Sequence, residues 1–198
     1  MRSRRTTRIL AAVMGLAMLT ALASAPAHAG TVVERTVAFV NRRPILLSDV
    51  EMTRALLGLE EAEAQERTID EVLMSDEASR LVSDSVSEEE IATAIGTLRE
   101  KAGARFTPAA LRRKALAQLA ISKYIDLRLR PLVRIEDGDV RKVFNEKVAA
   151  DPLAPAFALV APEIRQLLER QSLDQKIEEW VASLRRRDEV RRPAARTR

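Results

Sequence analysis

Between Thr107-Pro108 and Pro131, the positions Leu111, Ala115, Leu119, Ser122, Ile125 and Leu129 recur in steps of four, four, three, three and four. That spacing keeps one face of a helix with 3.6 residues per turn. Thr107 supplies a capping oxygen, and Pro108 fits the first helical position, where its missing N–H costs nothing. Leu116, Ile121 and Leu127 lie off the stripe, which predicts a helix buried on more than one side and ended by Pro131.

The same grammar recurs along the chain. Ser48-Asp49-Val50-Glu51 reads as a capping box that opens a helix from Asp49 to about Leu57, stopped by Gly58. The acidic stretch Glu60 to Glu71 reads as a solvated loop and a first turn, leading into a helix from roughly Arg67 to Ser83 with Ile69, Val72, Leu73, Leu81 and Val82 inward. Ser87-Glu88-Glu89-Glu90 is a second capping box, for a helix that buries Ile91, Ile95 and Leu98 and ends near Gly103. A short helix over Asp137 to Ala149 carries Val140, Val143 and Phe144. After Pro152, Pro155 and Pro162, an amphipathic helix to about Arg187 carries Ile164, Leu167, Leu168, Ile177, Trp180, Val181 and Leu184.

Only the start of this sequence is β-prone. Thr36 to Val40 and Ile45 to Leu47 flank the turn-rich Asn41-Arg42-Arg43-Pro44 and form a hairpin.

Residues 1–29 read as a secretory signal. Arg2, Arg4, Arg5 and Arg8 precede an apolar run from Ile9 to Ala23, and Ala27-His28-Ala29 is a small-residue site that places cleavage between Ala29 and Gly30. The run is short for a membrane span, which needs about 20 residues, and Thr7 spoils a twin-arginine motif, so Sec-type export to the periplasm is expected. Cleavage leaves 169 of the 198 residues and removes four arginines and no acid, so 29 Lys+Arg then balance 29 Asp+Glu. The basic character of the whole chain thus gives no argument for nucleic-acid binding.

His28 leaves with the leader and the chain has no Cys. A Cys/His zinc site, a Cys nucleophile, a His base and a disulfide are thereby excluded from the processed protein. Ser/Lys, carboxylate-pair and carboxylate-metal chemistry remain open, but Glu88, Glu89 and Glu90 are explained as a capping box and first-turn acids. No Gly-rich phosphate loop is present. The reading is a non-enzyme without cofactor or metal.

Arg185 to Arg198 holds seven arginines and two acids. It reads as a solvated end that complements a helix dipole, or as an electrostatic contact with an anionic envelope surface.

The segments Val37-Ala38-Phe39-Val40-Asn41 and Ile45-Leu46-Leu47-Ser48-Asp49-Val50 resemble the opening of SurA-type periplasmic chaperones. Ile69-Asp70-Glu71-Val72-Leu73-Met74, Val86-Ser87-Glu88-Glu89-Glu90-Ile91 and Ile135-Glu136-Asp137-Gly138-Asp139-Val140 resemble later segments of that family, in its order. So do Ile164-Arg165-Gln166-Leu167-Leu168 and Glu179-Trp180-Val181-Ala182-Ser183-Leu184-Arg185. The resemblance spans about Val33 to Arg192 and skips the parvulin prolyl-isomerase domain, so isomerase activity is not carried over. It implies a mainly α fold like the SurA N-domain, with a small N-terminal hairpin joined by a C-terminal strand at Glu189-Val190-Arg191. The implied layout is one chaperone domain over 30–192: an N-terminal part to 150, a Pro-containing linker over 151–162, a helix and strand over 163–192, then a basic tail over 193–198.

The expected function is ATP-independent binding of unfolded or partly folded envelope and outer-membrane proteins. The alternative is a dedicated assembly partner for one envelope protein. Leu56, Leu57 and Leu59, at the end of a short helix, are the first candidates for client contact, against the reading that they pack inward. The two methionines beyond the leader, Met52 and Met74, are too few for a Met-lined groove. No segment of the sequence specifies an oligomeric state.

Overall fold

The computed structural model describes residues 35–82, 85–103, 105–149 and 155–193. The expected leader with its Ala29-Gly30 junction, residues 151–154 of the expected Pro-containing linker and residues 194–198 lie outside the described residues. The fold is mainly α with a small three-stranded antiparallel sheet.

Strands β1 (Thr36–Val40) and β2 (Arg43–Leu46) form the hairpin, and β3 (Val190–Arg191) returns from the far end of the chain to pair with β1. The order is β2-β1-β3, so the most apolar strand is central, with Ala38 and Val40 fully buried. The turn is tighter than the sequence suggests. Only Asn41 and Arg42 lie between the strands, and Pro44 stands in β2 opposite Phe39. An edge strand tolerates proline because an outward-facing residue has no ladder N–H to lose. Asn41 adopts the left-handed region at φ 53°, which asparagine accepts more readily than most residues. Its Nδ2 donates to Asp188 Oδ1 at 3.1 Å and its Oδ1 accepts from the Glu189 N–H at 3.1 Å, so the turn residue also fastens the returning strand.

Six helices follow among the described residues. Helix α1 (Leu47–Leu57) starts one residue before the proposed Ser48 cap. The first-turn bond comes from Asp49, whose Oδ2 accepts from the Leu46 N–H at 3.3 Å. Gly58 closes the helix in the left-handed conformation, φ 67°.

Helix α2 (Glu61–Val82) starts nearly two turns earlier than expected. Glu61 and Glu63 sit in its first turn, where the helix dipole favours acids, and buried Ala64 gives that turn its inward contact. Helices α3 (Glu88–Ala102) and α4 (Pro108–Tyr124) begin at the expected caps: Ser87 Oγ accepts from Glu90 N–H at 3.2 Å, and Thr107 Oγ1 from Ala110 N–H at 3.2 Å.

Past Tyr124 the helix widens into a π segment (Ile125–Leu129) and tightens into a 3-10 turn (Arg130–Leu132) around Pro131. This change of pitch brings Leu129 into the core. Burial beyond the stripe holds for Ile121, which packs half-buried against the main core, and fails for the other two off-stripe residues. Leu116 and Leu127 are exposed, because α2 and α3 leave its outer face uncovered.

Helix α5 (Asp137–Lys147) and α6 (Phe157–Arg187) form an antiparallel pair held by Val140, Ile164 and an edge-on contact of Phe144 with Phe157 at 5.2 Å. Helix α6 begins five residues before Pro162, so the expected linker to residue 162 is shortened at its end. Proline is accepted there because it lies in the second turn, and the carbonyl it leaves unpaired belongs to exposed Ala158. At about 1.5 Å per residue, α6 is about 46 Å long.

The main core joins the sheet to Val50, Ile69, Leu73, Leu129 and Leu184. Trp180 of α6 closes it by stacking on Tyr124, with centroids 4.4 Å apart and planes 8° apart. A second cluster of Met52, Leu98, Leu111 and Ala115 holds α3 and α4 to α1.

Candidate functional site

Leucine placement at the end of α1 follows helical geometry. Leu56 packs half-buried against the second cluster, and Leu59, beyond Gly58, packs half-buried against the main core. Leu57 lies between them and remains 57% exposed. The inward reading therefore holds for two of the three, and the structure singles out Leu57.

Two concavities meet at that side chain. One, of about 310 Å³, lies between α2 and α4, with Met74 on one wall, Ile121 and Ile125 on the other, and Thr53 and Leu57 of α1 at one end. The second, of about 260 Å³, lies between α1, α3 and α4 and is lined by Leu56, Ala94 and Leu98. Leu57 and Gln118 border both. Met52 is fully buried, so of the two methionines only Met74 reaches the groove.

Beneath this groove runs a polar seam. Thr53 of α1, Thr68 and Glu71 of α2, and Lys114 of α4 meet between the two apolar clusters. Lys114 Nζ donates to Thr53 Oγ1 at 2.9 Å and to Glu71 Oε2. Thr53 donates to the Asp49 carbonyl at 3.2 Å, while Thr68 Oγ1 stands 2.9 Å from Thr53 Oγ1 and 2.7 Å from the Ala64 carbonyl. Every polar atom is satisfied, which is what burial of Thr53 and Thr68 requires. The adjoining cleft, of about 40 Å³, is lined by Arg43, Asp49, Met52, Glu71, Arg113 and Lys114. This is a lysine-hydroxyl contact of the kind the sequence left open for chemistry, and its geometry ties three helices together.

The other acidic candidates are accounted for by local structure. Glu90 caps α3 through the Ser87 N–H at 2.8 Å and meets Lys123 at 2.8 Å. The hydrogen bond from Lys123, with that from Ser87, holds its carboxyl down at about 2. Glu88 is gripped at both oxygens by the Arg112 guanidinium, at 2.9 and 2.7 Å, which lowers its pKa. Among the described residues, no group of three His, Cys, Asp or Glu side chains is placed to hold a metal.

Among the described residues, Arg185, Arg187, Arg191 and Arg192 turn toward the protein itself. Arg185 meets Asp70 and, at 3.0 Å, Glu66; Arg192 also meets Glu66; Arg187 meets Glu77 at 2.9 Å. Arg191 lies over the Phe39 ring at 5.7 Å. Burial pushes the Glu66 carboxyl up, but hydrogen bonds from Arg192 and Arg185 outweigh it and hold the group below its ordinary value. These cations clamp α6 and β3 onto the acidic face of α2. Sequence reading missed the clamp because its acids and bases are more than a hundred residues apart.

Several groove residues were missed as well. Arg67, Lys101 and Gln118 look in sequence like ordinary solvated positions, and only the crossing of α2, α3 and α4 beside Leu57 gathers them.

The class that fold and site define is a mainly helical domain whose three-stranded sheet joins the hairpin β1-β2 to the late strand β3, with an apolar groove between α2 and α4. No family model matches the chain, and no curated protein matches it. No helix among the described residues is long and apolar enough to cross a membrane.

Proposed function

We propose that this protein is an ATP-independent chaperone that shields apolar segments of unfolded or partly folded envelope and outer-membrane proteins in the periplasm, without isomerase activity. The observation that carries the reading is Leu57, more than half exposed on the ridge between an apolar concavity and a second one of mixed polarity. A client side chain laid beside it gains about 25 cal/mol for each Å² of apolar surface removed from water. Such contacts are weak singly and non-directional, so a client is released without nucleotide.

Supporting the SurA-type resemblance is the antiparallel pairing of Val190-Arg191 with the N-terminal hairpin, the closure that the resemblance implied. The leader and the periplasmic location rest on the sequence of residues 1–29. A second reading, a dedicated partner for one envelope protein, is favoured by the small groove, which accommodates a few side chains of one segment.

The test is aggregation of a chemically unfolded outer-membrane protein, with a proline-isomerisation assay on the same sample. The chaperone reading expects suppression at near-stoichiometric ratios and no acceleration of isomerisation. Failure to suppress, together with one tight stoichiometric partner in a pull-down, moves the assignment to the dedicated partner.

A further inference from the structure

The charged side chains lining the two concavities fall into two groups. Asp70 is held by Arg185, and Glu71 by Lys114. Arg67 on α2 and Lys101 on α3 line the groove, one in each concavity, and neither has an ion-pair partner among the described residues. Lys101 lies in the last turn of α3, where a cation also suits the helix dipole. Arg67 is in the body of α2 and has no such role. The acids of the groove are thus neutralised from within the fold, and its cations are not.

Resting on the reading of the groove as the client site, we infer that it selects apolar segments flanked by carboxylates. Aliphatic side chains lie against Leu57, Met74 and Ile121, and acidic residues on either side of them meet Arg67 and Lys101. Arg67 and Lys101 are both exposed, so each attracts a carboxylate as a partly screened surface charge does, an effect that weakens with salt. The contribution is to choice among clients more than to raw affinity, because a lysine-flanked segment meets like charge at both ends. The occupant is therefore a segment of another polypeptide with acids bracketing a short aliphatic run.

The experiment measures fluorescence anisotropy of two labelled peptides with the same leucine-containing core, one flanked by aspartates and one by lysines. It uses the protein as purified from expressing cells, the variants Leu57→Asp and Arg67→Glu/Lys101→Glu, and low and high salt. The aspartate-flanked peptide is expected to bind about fivefold tighter at low salt, the summed effect of two partly exposed pairs. High salt should shrink the difference, the double variant should invert it, and Leu57→Asp should weaken both peptides. Equal affinities with the Leu57 dependence intact overturn the charge selection and leave the groove standing. Binding that ignores Leu57→Asp overturns both. A Leu57-dependent dimer in sedimentation that neither peptide dissociates also overturns both, in favour of a second copy as the occupant.

Discussion

Two faces of helix α2 receive opposite treatment. On one, Ile69 and Leu73 are sealed by the sheet and by Leu184 and Trp180 of α6, with Arg185, Arg187 and Arg192 bridging to Glu66, Asp70 and Glu77 at the rim. On the other, Met74 faces Ile121 and Ile125 across an open groove, and Leu57 stands at its end. Both faces are apolar. What separates them is that the covered face has a partner helix of matching charge, whereas Arg67 and Lys101 beside the open groove have no ion-pair partner among the described residues.

The sharpest way to break this contrast is a pair of truncations. Leu184→Ala should cost about 3 kcal/mol in urea denaturation, because it leaves a cavity in a fully buried site. Leu57→Ala should stay within about 0.5 kcal/mol of the parent, as exposed positions do. Equal costs would make Leu57 a core residue and remove the distinction.

The seam beneath the groove sharpens it from below. Lys114→Ala leaves the largely buried Glu71 carboxylate unpaired and should cost about 3 kcal/mol, whereas Lys114→Met/Glu71→Leu should recover most of the loss, both read from denaturation midpoints.

Asn41 offers a smaller effect on the covered side. Asn41→Ala forfeits two hydrogen bonds to the returning strand and the tolerance for φ 53°, about 2 kcal/mol together, while Asn41→Gly keeps the backbone and should cost about half of that.

The smallest effect is pH dependence. Glu66 and Glu90 have pKa values depressed by folding, so each contributes stability that is present above its ordinary value of 4.5 and is lost as pH falls through the folded value. The denaturation midpoint should be level above pH 5 on account of these groups and fall between 4.5 and about 2. Glu90→Gln should remove part of that fall.

The parts of this fold that sequence makes plain are those fixed by neighbours in the chain. The capping box at Ser87, the Thr107 cap and the Gly58 stop depend on residues three or four apart, and each stands where expected. The hairpin and its returning strand also follow from short patterns, here joined by family resemblance. Where distant contacts decide, local reading fails. Pro44 entered a strand because that strand is an edge, the acidic run became helix because Ala64 found a core, and Pro162 was absorbed because the helix starts early enough to place it in the second turn, over an exposed carbonyl. The groove shares that fate: Leu57 could be suspected from its place after a short helix, but not distinguished from Leu56 and Leu59, whose burial depends on helices far along the chain.

The central claim is that Leu57 and its groove bind apolar client segments. Its most direct measurement is suppression of aggregation of an unfolded outer-membrane protein by the parent protein and by Leu57→Asp, matched for circular dichroism and denaturation midpoint. The account predicts that the variant remains folded and loses most of the suppression. Undiminished suppression by a folded Leu57→Asp protein would contradict it.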